Sequence, residues 1–489
     1  MKNNALSTAG LSLLIAAAAH VYASAKEANQ TKPNIIVILA DDVGPGDAGV
    51  YGATKIKTPN IDRLATEGQR FDNAYASAAV CTPTRYALLT GQYSWRQDAI
   101  GVNKGVANGN SPLLIPTEMK TVQGLLREHG YRTAAIGKWH LGFGLDKPDY
   151  NSELRPGPLE TGFDEFFGIP ATNDRIPTVF VRDHRVVGLD PADPIRVTYD
   201  KNEAKKEGLS SWSAGRDRIG WGKGGKTAWW IDVDIAETHT GEALKFIERN
   251  KQRPFFLYFA PHDVHPPKIP QKRFAGISGI SERADMLLGL DDAIGQIMQA
   301  LDRLGLAENT LIVYSSDNGS YVNEENGHRP TGVLRGTKST SWEGGTRVPF
   351  VATWPARIKP GVSDDLVSTI DVPATVCAAA GIAVPKDALP DSYNLLPALL
   401  GQAEAPKRNS LILQCGSGHL SVRSGPWKYI PDLDLAEGWK SKKKDPNVPA
   451  RPGLFNLPSD PGETKNVLLE HPAEAERLAA LLAKARQQP

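Results

Sequence analysis

Short apolar runs alternate with longer helical patterns along most of the chain. The run 34–40 is almost uninterruptedly apolar, which is typical of a strand buried on both faces. The other runs predicted as strands are 133–136, 255–259, 311–314 and 350–352, and the helical patterns are 121–128, 236–249 and 284–304. Strand and helix alternating in this way predict an α/β fold, with a mostly parallel sheet and helices on both of its faces.

Polar residues follow directly after four of these predicted strands. They are Asp41 with Asp42, Lys138 with His140, the segment from His262 to His265, and Asp317 with Asn318. In open α/β sheets the ligand site lies beyond the carboxyl ends of the strands. We therefore expect four segments from distant parts of the chain to meet at one site.

The first 25 residues have the features of a secretory signal. Lys2 gives a positive start, residues 11–19 are apolar, and Ala23-Ser24-Ala25 fits an A-x-A cleavage site. The apolar stretch is shorter than the roughly 20 residues that span a bilayer. We expect cleavage after Ala25 and no membrane anchor, with secretion to the periplasm favoured over the extracellular medium.

The rest of the chain divides into two predicted parts. Segment 182–230 is rich in Gly, Trp and charge and lacks periodicity, which indicates an insertion with short elements of its own. Gly and Pro then interrupt the pattern near 378–397. Short strand-like runs follow at 410–414, 420–423 and 427–430, with a final helix at 473–486. We predict a catalytic domain over 26–380 and a small C-terminal α+β subdomain with an antiparallel sheet over 381–489.

Composition narrows the classes of partner. The 489 residues include 56 Lys and Arg against 55 Asp and Glu, a net charge of +1. No global field draws in nucleic acid or anionic membrane, so neither is an expected partner, and any anionic substrate needs a local cluster of cations. The sequence has three cysteines, too few for a disulfide scaffold. Two of them, Cys377 and Cys415, are expected to be free thiols.

Oxygen ligands dominate two of the polar segments. Adjacent carboxylates at Asp41 and Asp42 repel each other unless a cation lies near them, although the pair also fits a helix N-cap followed by a first-turn acid. Asp317 and Asn318 add a third carboxylate and an amide. This set of hard oxygen atoms suits Ca²⁺ or Mg²⁺ and is poor for zinc.

The most specific pattern is Cys-Thr-Pro-Thr-Arg, from Cys81 to Arg85. Taken alone, the cysteine also fits buried apolar filler, half a disulfide or an incidental thiol. With the Leu-Leu-Thr-Gly that ends at Gly91, however, the pattern resembles the signature of type I, formylglycine-dependent sulfatases. The segment from Gly130 to His140 is similar to the second signature of that family. The resemblance extends from Pro33 to the neighbourhood of residues 460–463.

The resemblance implies an alkaline-phosphatase-like α/β/α sandwich that hydrolyses sulfate monoesters. It implies that a formylglycine-generating maturation enzyme oxidises Cys81 to an aldehyde. It also implies a bound metal, calcium in preference to magnesium. The matching metal positions are Asp41, Asp42, Asp317, Asn318 and the modified Cys81, and the matching catalytic positions are Arg85, Lys138, His140, His265 and Lys338.

The chemistry of sulfate esters explains these residue types. A hydrated aldehyde has two hydroxyls, and one of them attacks sulfur as an activated nucleophile. Arg85, Lys138 and Lys338 would neutralise the sulfate oxygens, and His265 or Lys338 would protonate the leaving alcohol. The second hydroxyl then passes its proton to His140 and expels sulfate. A serine lacks this second hydroxyl and would trap the sulfated intermediate.

The predicted substrate is a sulfated sugar from a polysaccharide or glycosaminoglycan. The segment 168–177 resembles part of polysaccharide-degrading bacterial sulfatases, so Asn173, Asp174 and Arg175 are candidate sugar contacts, with His262 as a further substrate-binding candidate. The tryptophans of the insertion either stack on a sugar ring or pack a small core. They are Trp212, Trp221, Trp229 and Trp230.

Two other functions compete with this one. The first is a phosphonate or phosphate monoester hydrolase of the same superfamily. Phosphatases of that superfamily commonly use Ser or Thr and more metal ligands, so Cys81 argues against a phosphatase, whereas a phosphonate hydrolase that uses formylglycine stays an alternative. The second is a calcium-dependent glycan-binding protein that has lost catalysis. No residue of the expected catalytic set is missing, which argues against the second.

Overall fold

The computed structural model describes residues 32–96, 105–211, 218–402, 405, 407–445 and 448–487. The predicted signal sequence and Trp212 lie outside the described residues. Within the described ranges, no helix is long and apolar enough to cross a membrane.

Strands and helices alternate as the sequence predicts. The strands are β1 (Asn34–Ala40), β2 (Gln69–Tyr75), β3 (Arg132–Lys138), β4 (Glu165–Ile169), β5 (Val181–Arg182), β6 (Arg185–Val186), β7 (Arg196–Thr198), β8 (Ser210–Ser211), β9 (Trp221–Lys223), β10 (Phe255–Ala260), β11 (Thr310–Ser316), β12 (Phe350–Thr353), β13 (Gly361–Ser368), β14 (Ser410–Gln414), β15 (Leu420–Ser424), β16 (Trp427–Ile430) and β17 (Gly453–Asn456). The helices are α1 (Pro59–Glu67), α2 (Cys81–Thr90), α3 (Val122–Glu128), α4 (Lys201–Glu207), α5 (Ile235–Asn250), α6 (Glu282–Arg303), α7 (Glu343–Thr346), α8 (Val372–Ala379), α9 (Leu396–Leu399) and α10 (Pro472–Gln487).

A ten-stranded sheet forms the centre of the molecule, in the order β13-β2-β12-β11-β1-β10-β3-β4-β5-β6. Its middle strands β11, β1, β10, β3 and β4 are parallel to one another. Strand β12 runs antiparallel to both of its neighbours, and β5 and β6 are antiparallel at the far edge. The predicted mostly parallel sheet is therefore confirmed.

The two faces of the sheet are covered by different helices. Successive strand residues point to opposite faces, so a strand with helices on both sides is apolar at nearly every position. In β1, Ile35 and Val37 join a core that includes residues of α2, α3 and α8, whereas Ile36 and Ile38 join a core with α1, α5 and α6.

The C-terminal part forms a separate antiparallel sheet in the order β14-β15-β16-β17, as predicted. Helix α10 packs on this sheet through Leu478 and Leu482. The same apolar cluster includes Ala87 of α2 and Tyr93 just beyond it. The small sheet is thus in direct contact with the helix that begins at Cys81.

The insertion over 182–230 has short elements of its own, as the sequence indicates. Strands β7, β9 and β8 form a three-stranded sheet beside α4. Trp230 is buried against Ile169 and Ile235, and the half-buried Trp229 packs on the main core. These two tryptophans therefore pack the interior.

Candidate active site

Four neighbouring strands bring the predicted site residues together. Strands β11, β1, β10 and β3 are adjacent and parallel, so their carboxyl ends lie on one edge of the sheet. Asp317 and Asn318 follow β11, Asp41 and Asp42 follow β1, His262 and His265 follow β10, and Lys138 ends β3 two residues before His140. The predicted convergence of these segments is found in the structure.

Cys81 is the first residue of α2 and is buried. One ligand atom from each of Cys81, Asp41 and His265 lies within 4.8 Å of the others. Burial raises the pKa of the Cys81 thiol, and the nearby ammonium groups of Lys138 and Lys338 offset this only in part. The unmodified side chain is therefore a neutral thiol at neutral pH, a weak nucleophile in comparison with a thiolate.

Three cations pair with the three carboxylates of the site. Arg85 Nη2 lies 2.7 Å from Asp317 Oδ2, and Lys138 Nζ lies 2.6 Å from Asp41 Oδ2. Lys338 Nζ lies 2.7 Å from Asp42 Oδ1. Four of these six side chains are fully inaccessible, that of Asp42 is 1% exposed and that of Lys338 is 9% exposed.

These ion pairs fix the charges of the site. Burial alone would lower the pKa of Lys338, but Asp42 raises it well above its ordinary value. Burial would likewise raise the pKa of Asp42, but Lys338 leads the neighbouring charges that hold it below its ordinary value. The lysine is a cation and the aspartate an anion at neutral pH.

The remaining ligand oxygens have no protein partner within the described part of the chain. They are Asp41 Oδ1, Asp42 Oδ2 and Asn318 Oδ1, and all are buried. Leaving a buried polar atom unsatisfied costs about 1–3 kcal/mol. One oxygen from each of Asp41, Asp42 and Asp317 lies within 4.8 Å of the others. Such a group of oxygens fits a hard divalent cation.

Backbone and amide geometry hold this oxygen group in place. Asp42 has a φ of 63°, a left-handed conformation that is uncommon outside glycine. Its amide nitrogen donates to Asp317 Oδ1 at 3.3 Å. Asn318 Nδ2 donates to Asp42 Oδ1 at 2.6 Å, so the amide oxygen of Asn318 is the atom left for a cation.

The two central histidines are both neutral. His140 Nε2 lies 2.8 Å from the carbonyl of Ala107, which can only accept, so Nε2 carries the hydrogen and Nδ1 keeps a lone pair. His265 Nδ1 lies 2.6 Å from the carbonyl of Pro266, which leaves its Nε2 without a proton. Burial, followed by Lys338 and Lys138, lowers the pKa of His265 to about 3, and burial lowers that of His140 well below its ordinary value.

The other predicted substrate contacts divide into two kinds. Asn173 is buried; its amide donates to the carbonyl of His265 at 3.1 Å, and its Oδ1 lies 3.2 Å from His265 Nδ1. Arg175 and Asp174 are half-buried and paired at 2.8 Å. His262 is buried with its ring 6.1 Å from that of His239. Asn173 thus supports His265, while Asp174 and Arg175 keep some exposure for a ligand.

One supporting residue escaped the sequence analysis although it lies inside the signature. Thr82 Oγ1 donates to the carbonyl of His140 at 3.1 Å and accepts from the amide of Ala107 at 3.0 Å. It therefore braces both His140 and the carbonyl that fixes the tautomer of that histidine. Its position next to Cys81 was the available signal.

Comparison with known proteins gives consistent matches. A family model described as Sulfatase matches residues 33–382. An N-acetylgalactosamine-6-O-sulfatase of Bacteroides thetaiotaomicron is 43% identical, covering 93% of each chain. Human arylsulfatase A is 34% identical, covering 89% of this chain and 83% of its own length.

Solved structures agree with the sequence relatives. A sulfatase structure described under the metabolism of multiple glycosaminoglycans by Bacteroides thetaiotaomicron superposes with a TM-score of 0.86 at 42% identity. The alignment covers 94% of this chain and all of the other. The similarity thus includes the C-terminal sheet as well as the central one.

Proposed function

The chain belongs to the sulfatase family, and from that premise we propose that it desulfates a sulfated sugar with a formylglycine formed from Cys81 and a bound calcium ion. The observation that carries this proposal is the position of Cys81. The residue lies at the start of α2, close to Asp41 and His265, with Lys138 and Lys338 acting on its thiol. The unpartnered oxygens of Asp41, Asp42 and Asn318 belong to the same cluster.

The proposed substrate class comes from the relatives. The similarity to an N-acetylgalactosamine-6-O-sulfatase supports a sulfated hexosamine of a glycosaminoglycan as substrate. The half-buried pair of Asp174 and Arg175 supports the same class, because its polar atoms suit the hydroxyl groups of a sugar. We propose these two residues as sugar contacts.

The cations of the site would bind and polarise the sulfate group. Arg85, Lys138 and Lys338 are fixed by their carboxylate partners before substrate arrives, so little reorganisation accompanies the reaction. Asp41, Asp42, Asp317 and Asn318 would hold calcium, which would supply Lewis-acid stabilisation of negative charge at the site. Formylglycine, when formed, would supply through its hydrate the hydroxyl that attacks sulfur.

Proton transfer would divide between a cation and a neutral base. Lys338 carries a proton at neutral pH, because Asp42 raises its pKa, and would therefore donate to the leaving oxygen. His265 would share this task only after an incoming anion raises its pKa, because Nε2 is unprotonated in the free state. His140 has a free lone pair on Nδ1 and would accept the proton that accompanies sulfate release.

The modification test examines Cys81 directly. We expect mass spectrometry of the peptide 71–85 to show an aldehyde in place of the thiol when the protein is made with a maturation enzyme. Cys81→Ala should abolish sulfate release, whereas Cys377→Ala, at another buried free cysteine, should retain it. Active enzyme with wholly unmodified Cys81 would contradict the mechanism.

The substrate test compares esters. We expect sulfate release from N-acetylgalactosamine 6-sulfate and from small aryl sulfates, and much slower hydrolysis of matched phosphate and phosphonate esters. Faster turnover of the phosphorus esters would instead support the rival hydrolase. Calcium-dependent glycan binding without any turnover, in protein shown to carry the aldehyde, would support the non-catalytic alternative.

Export completes the proposal. Residues 1–25 would direct the chain to the periplasm, where sulfated glycan fragments are accessible. The N-terminal sequence of protein recovered from that compartment should begin at Lys26. Recovery of full-length chain from the cytoplasm alone would contradict this.

A further inference from the structure

Trp439 differs from the other tryptophans that the structure describes. It is 52% exposed, whereas each of the others is buried or half-buried. It lies in a 3-10 turn, Gly438–Lys440, of the C-terminal subdomain. An exposed indole offers a large, flat apolar surface with a polar N–H, which suits contact with a ligand that has both apolar and polar groups.

The exposed ring is held rigidly. The indole Nε1 donates to the carbonyl of Gly416 at 2.7 Å, and the backbone nitrogen donates to Ser339 Oγ at 2.9 Å. Gly438, the preceding residue, has a φ of 58°, and a Cβ there would lie 1.9 Å from the Ser339 carbonyl oxygen. Only glycine permits this close approach.

These contacts attach the ring to the catalytic site. Ser339 directly follows Lys338, whose ammonium lies 2.7 Å from Asp42. The amide of Ser339 donates at 2.7 Å to the carbonyl of Ala79, two residues before Cys81. Trp439 is therefore hydrogen-bonded to Ser339, which follows Lys338 in the chain and is itself hydrogen-bonded to the segment that leads into α2.

A cavity of about 660 Å³ lies next to Trp439: Trp439 is not one of its lining residues, but the preceding Gly438 lines it, as does Ser417, which follows the Gly416 carbonyl that accepts from the indole. Six of the residues that line it are Ser417, His419, Gly438, Ser441, Lys442 and Lys443. Asp432 and Asp445 line it as well, but Lys444 lies 2.5 Å from Asp432 and neutralises that carboxylate. The exposed Lys442 and Lys443 outnumber the remaining Asp445, so the rim carries a small positive excess.

We propose that Trp439 and this cavity form a subsite for the sugar residue next to the sulfated one, in an anionic oligosaccharide. The inference rests on the proposed function. A flat, immobilised indole offers an apolar face to the C–H groups of a sugar ring, and its rigidity lowers the entropy lost on binding. The lysines favour a neighbouring sugar that carries a carboxylate or a second sulfate.

The test compares two substrates that share the sulfated sugar. We expect Trp439→Ala to lower kcat/KM about tenfold on an oligosaccharide ending in that sugar next to an acidic residue, mainly through KM. On the sulfated monosaccharide the same variant should be unchanged, because remote binding energy helps only a substrate with remote groups. Trp439→Phe, which keeps a flat face, should recover most of the loss.

Two further variants act as controls. Val362→Ala, at an exposed residue of the edge strand β13, should leave kcat/KM unchanged on both substrates. The double change Lys442→Gln with Lys443→Gln should raise KM for the oligosaccharide and not for the monosaccharide. This increase in KM should become smaller as the salt concentration rises. Equal losses on both substrates for Trp439→Ala would mean that the ring only supports the Lys338 loop, and no loss on either would mean that it contacts no sugar; each result overturns the proposal.

A binding measurement distinguishes failure of the subsite from failure of the proposed function. Oligosaccharide affinity can be measured calorimetrically in a Cys81→Ala background, where no turnover occurs. Trp439→Ala in that background should weaken binding about tenfold. Undiminished binding would overturn the subsite even in an enzyme that proves to be a sulfatase, whereas a wild-type enzyme inactive on every sulfate ester would contradict the proposed function alone.

Discussion

Two sets of buried carboxylates follow strand β1, the single Asp47 and the pair Asp41 and Asp42, and they differ in their hydrogen-bond partners. Asp47 accepts from Arg283 Nη1 and His328 Nε2 on Oδ1, at 2.9 and 2.8 Å. Its Oδ2 accepts from Arg283 Nη2 at 2.6 Å and from the amide of Gly44 at 2.9 Å. The protein itself thus satisfies both oxygens. At Asp41 and Asp42, by contrast, one oxygen of each carboxylate is left without a partner among the described residues.

This difference separates a structural ion pair from a ligand site. Burial is the same for all three aspartates, so burial alone does not identify function. A satisfied buried carboxylate stabilises the fold only as long as its partner remains. An unsatisfied one is open to a further group that completes it, and the oxygen ligands here fit a hard divalent cation, for which calcium is the proposed ion. The same substitution should therefore act on different properties, on calcium binding and turnover at Asp42 and on stability at Asp47.

The largest expected effect is on turnover in Asp42→Asn. Loss of one anionic ligand should abolish stoichiometric calcium binding and lower kcat by about 10³-fold or more, because a metal ion supplies several kcal/mol of transition-state stabilisation. Elemental analysis measures the bound calcium, and sulfate release measures kcat. A variant that keeps its calcium and its rate would remove Asp42 from the metal site. Asp317→Ala should show the same double loss.

Asp47→Asn should act on stability instead. It leaves the buried Arg283 guanidinium without its anion, so we expect the free energy of unfolding to fall by about 3 kcal/mol. Urea denaturation in the presence of a chelator measures this without any metal contribution. Calcium content and kcat per folded molecule should be unchanged. A parallel loss of calcium would mean that Asp47 also contributes to the metal site formed by Asp41 and Asp42.

Calcium itself should stabilise only proteins with an intact oxygen group. At a calcium concentration of about 100 times Kd, the expected gain in unfolding free energy is about 2.7 kcal/mol for the wild type and for Asp47→Asn. No gain is expected for Asp42→Asn. Thermal or urea unfolding with and without calcium gives the comparison. An equal gain in all three proteins would place the stabilising ion elsewhere.

Acid sensitivity should be the smallest difference. Burial would raise the pKa of Asp47, but Arg283 and His328 lower it from an ordinary value of 3.8 to about 2. A lowered carboxyl pKa contributes stability that is complete above about pH 4 and is lost as the pH falls toward about 2. The stability gap between wild type and Asp47→Asn should therefore narrow over that range, as urea unfolding at several pH values would show. A difference in unfolding free energy that widens as the pH falls would contradict a lowered pKa at Asp47.

The sequence predicted the middle of the sheet better than its edge. Strands such as β1 and β10 are continuous apolar runs because helices cover both of their faces. Strand β2 was missed since Arg70, Asp72 and Asn73 interrupt its apolar positions. Arg70 and Asp72 pair with each other at 2.9 Å near the sheet edge, where polar side chains reach solvent.

For the site, the sequence identified which residues converge but not every contact that they make. Asp41 and Asp317 follow strands and Lys138 ends one, and the topology of the sheet then places them together. Asn173 was predicted to contact sugar, yet its amide lies against His265, 92 residues away in the chain. That sugar contact stays a prediction, and such a pairing depends on tertiary packing that no local pattern encodes. Trp439 was not singled out, because exposure cannot be read from residue type.

The most direct measurement is sulfate release by metal-free, formylglycine-bearing enzyme during titration with calcium. We expect no turnover at the start and full turnover once one calcium is bound per chain, for the wild type and for Asp47→Asn alike. Asp42→Asn should stay inactive throughout the titration. Full sulfate release by the metal-free wild type, or by Asp42→Asn, would contradict the claim that these oxygens hold the cation on which catalysis depends.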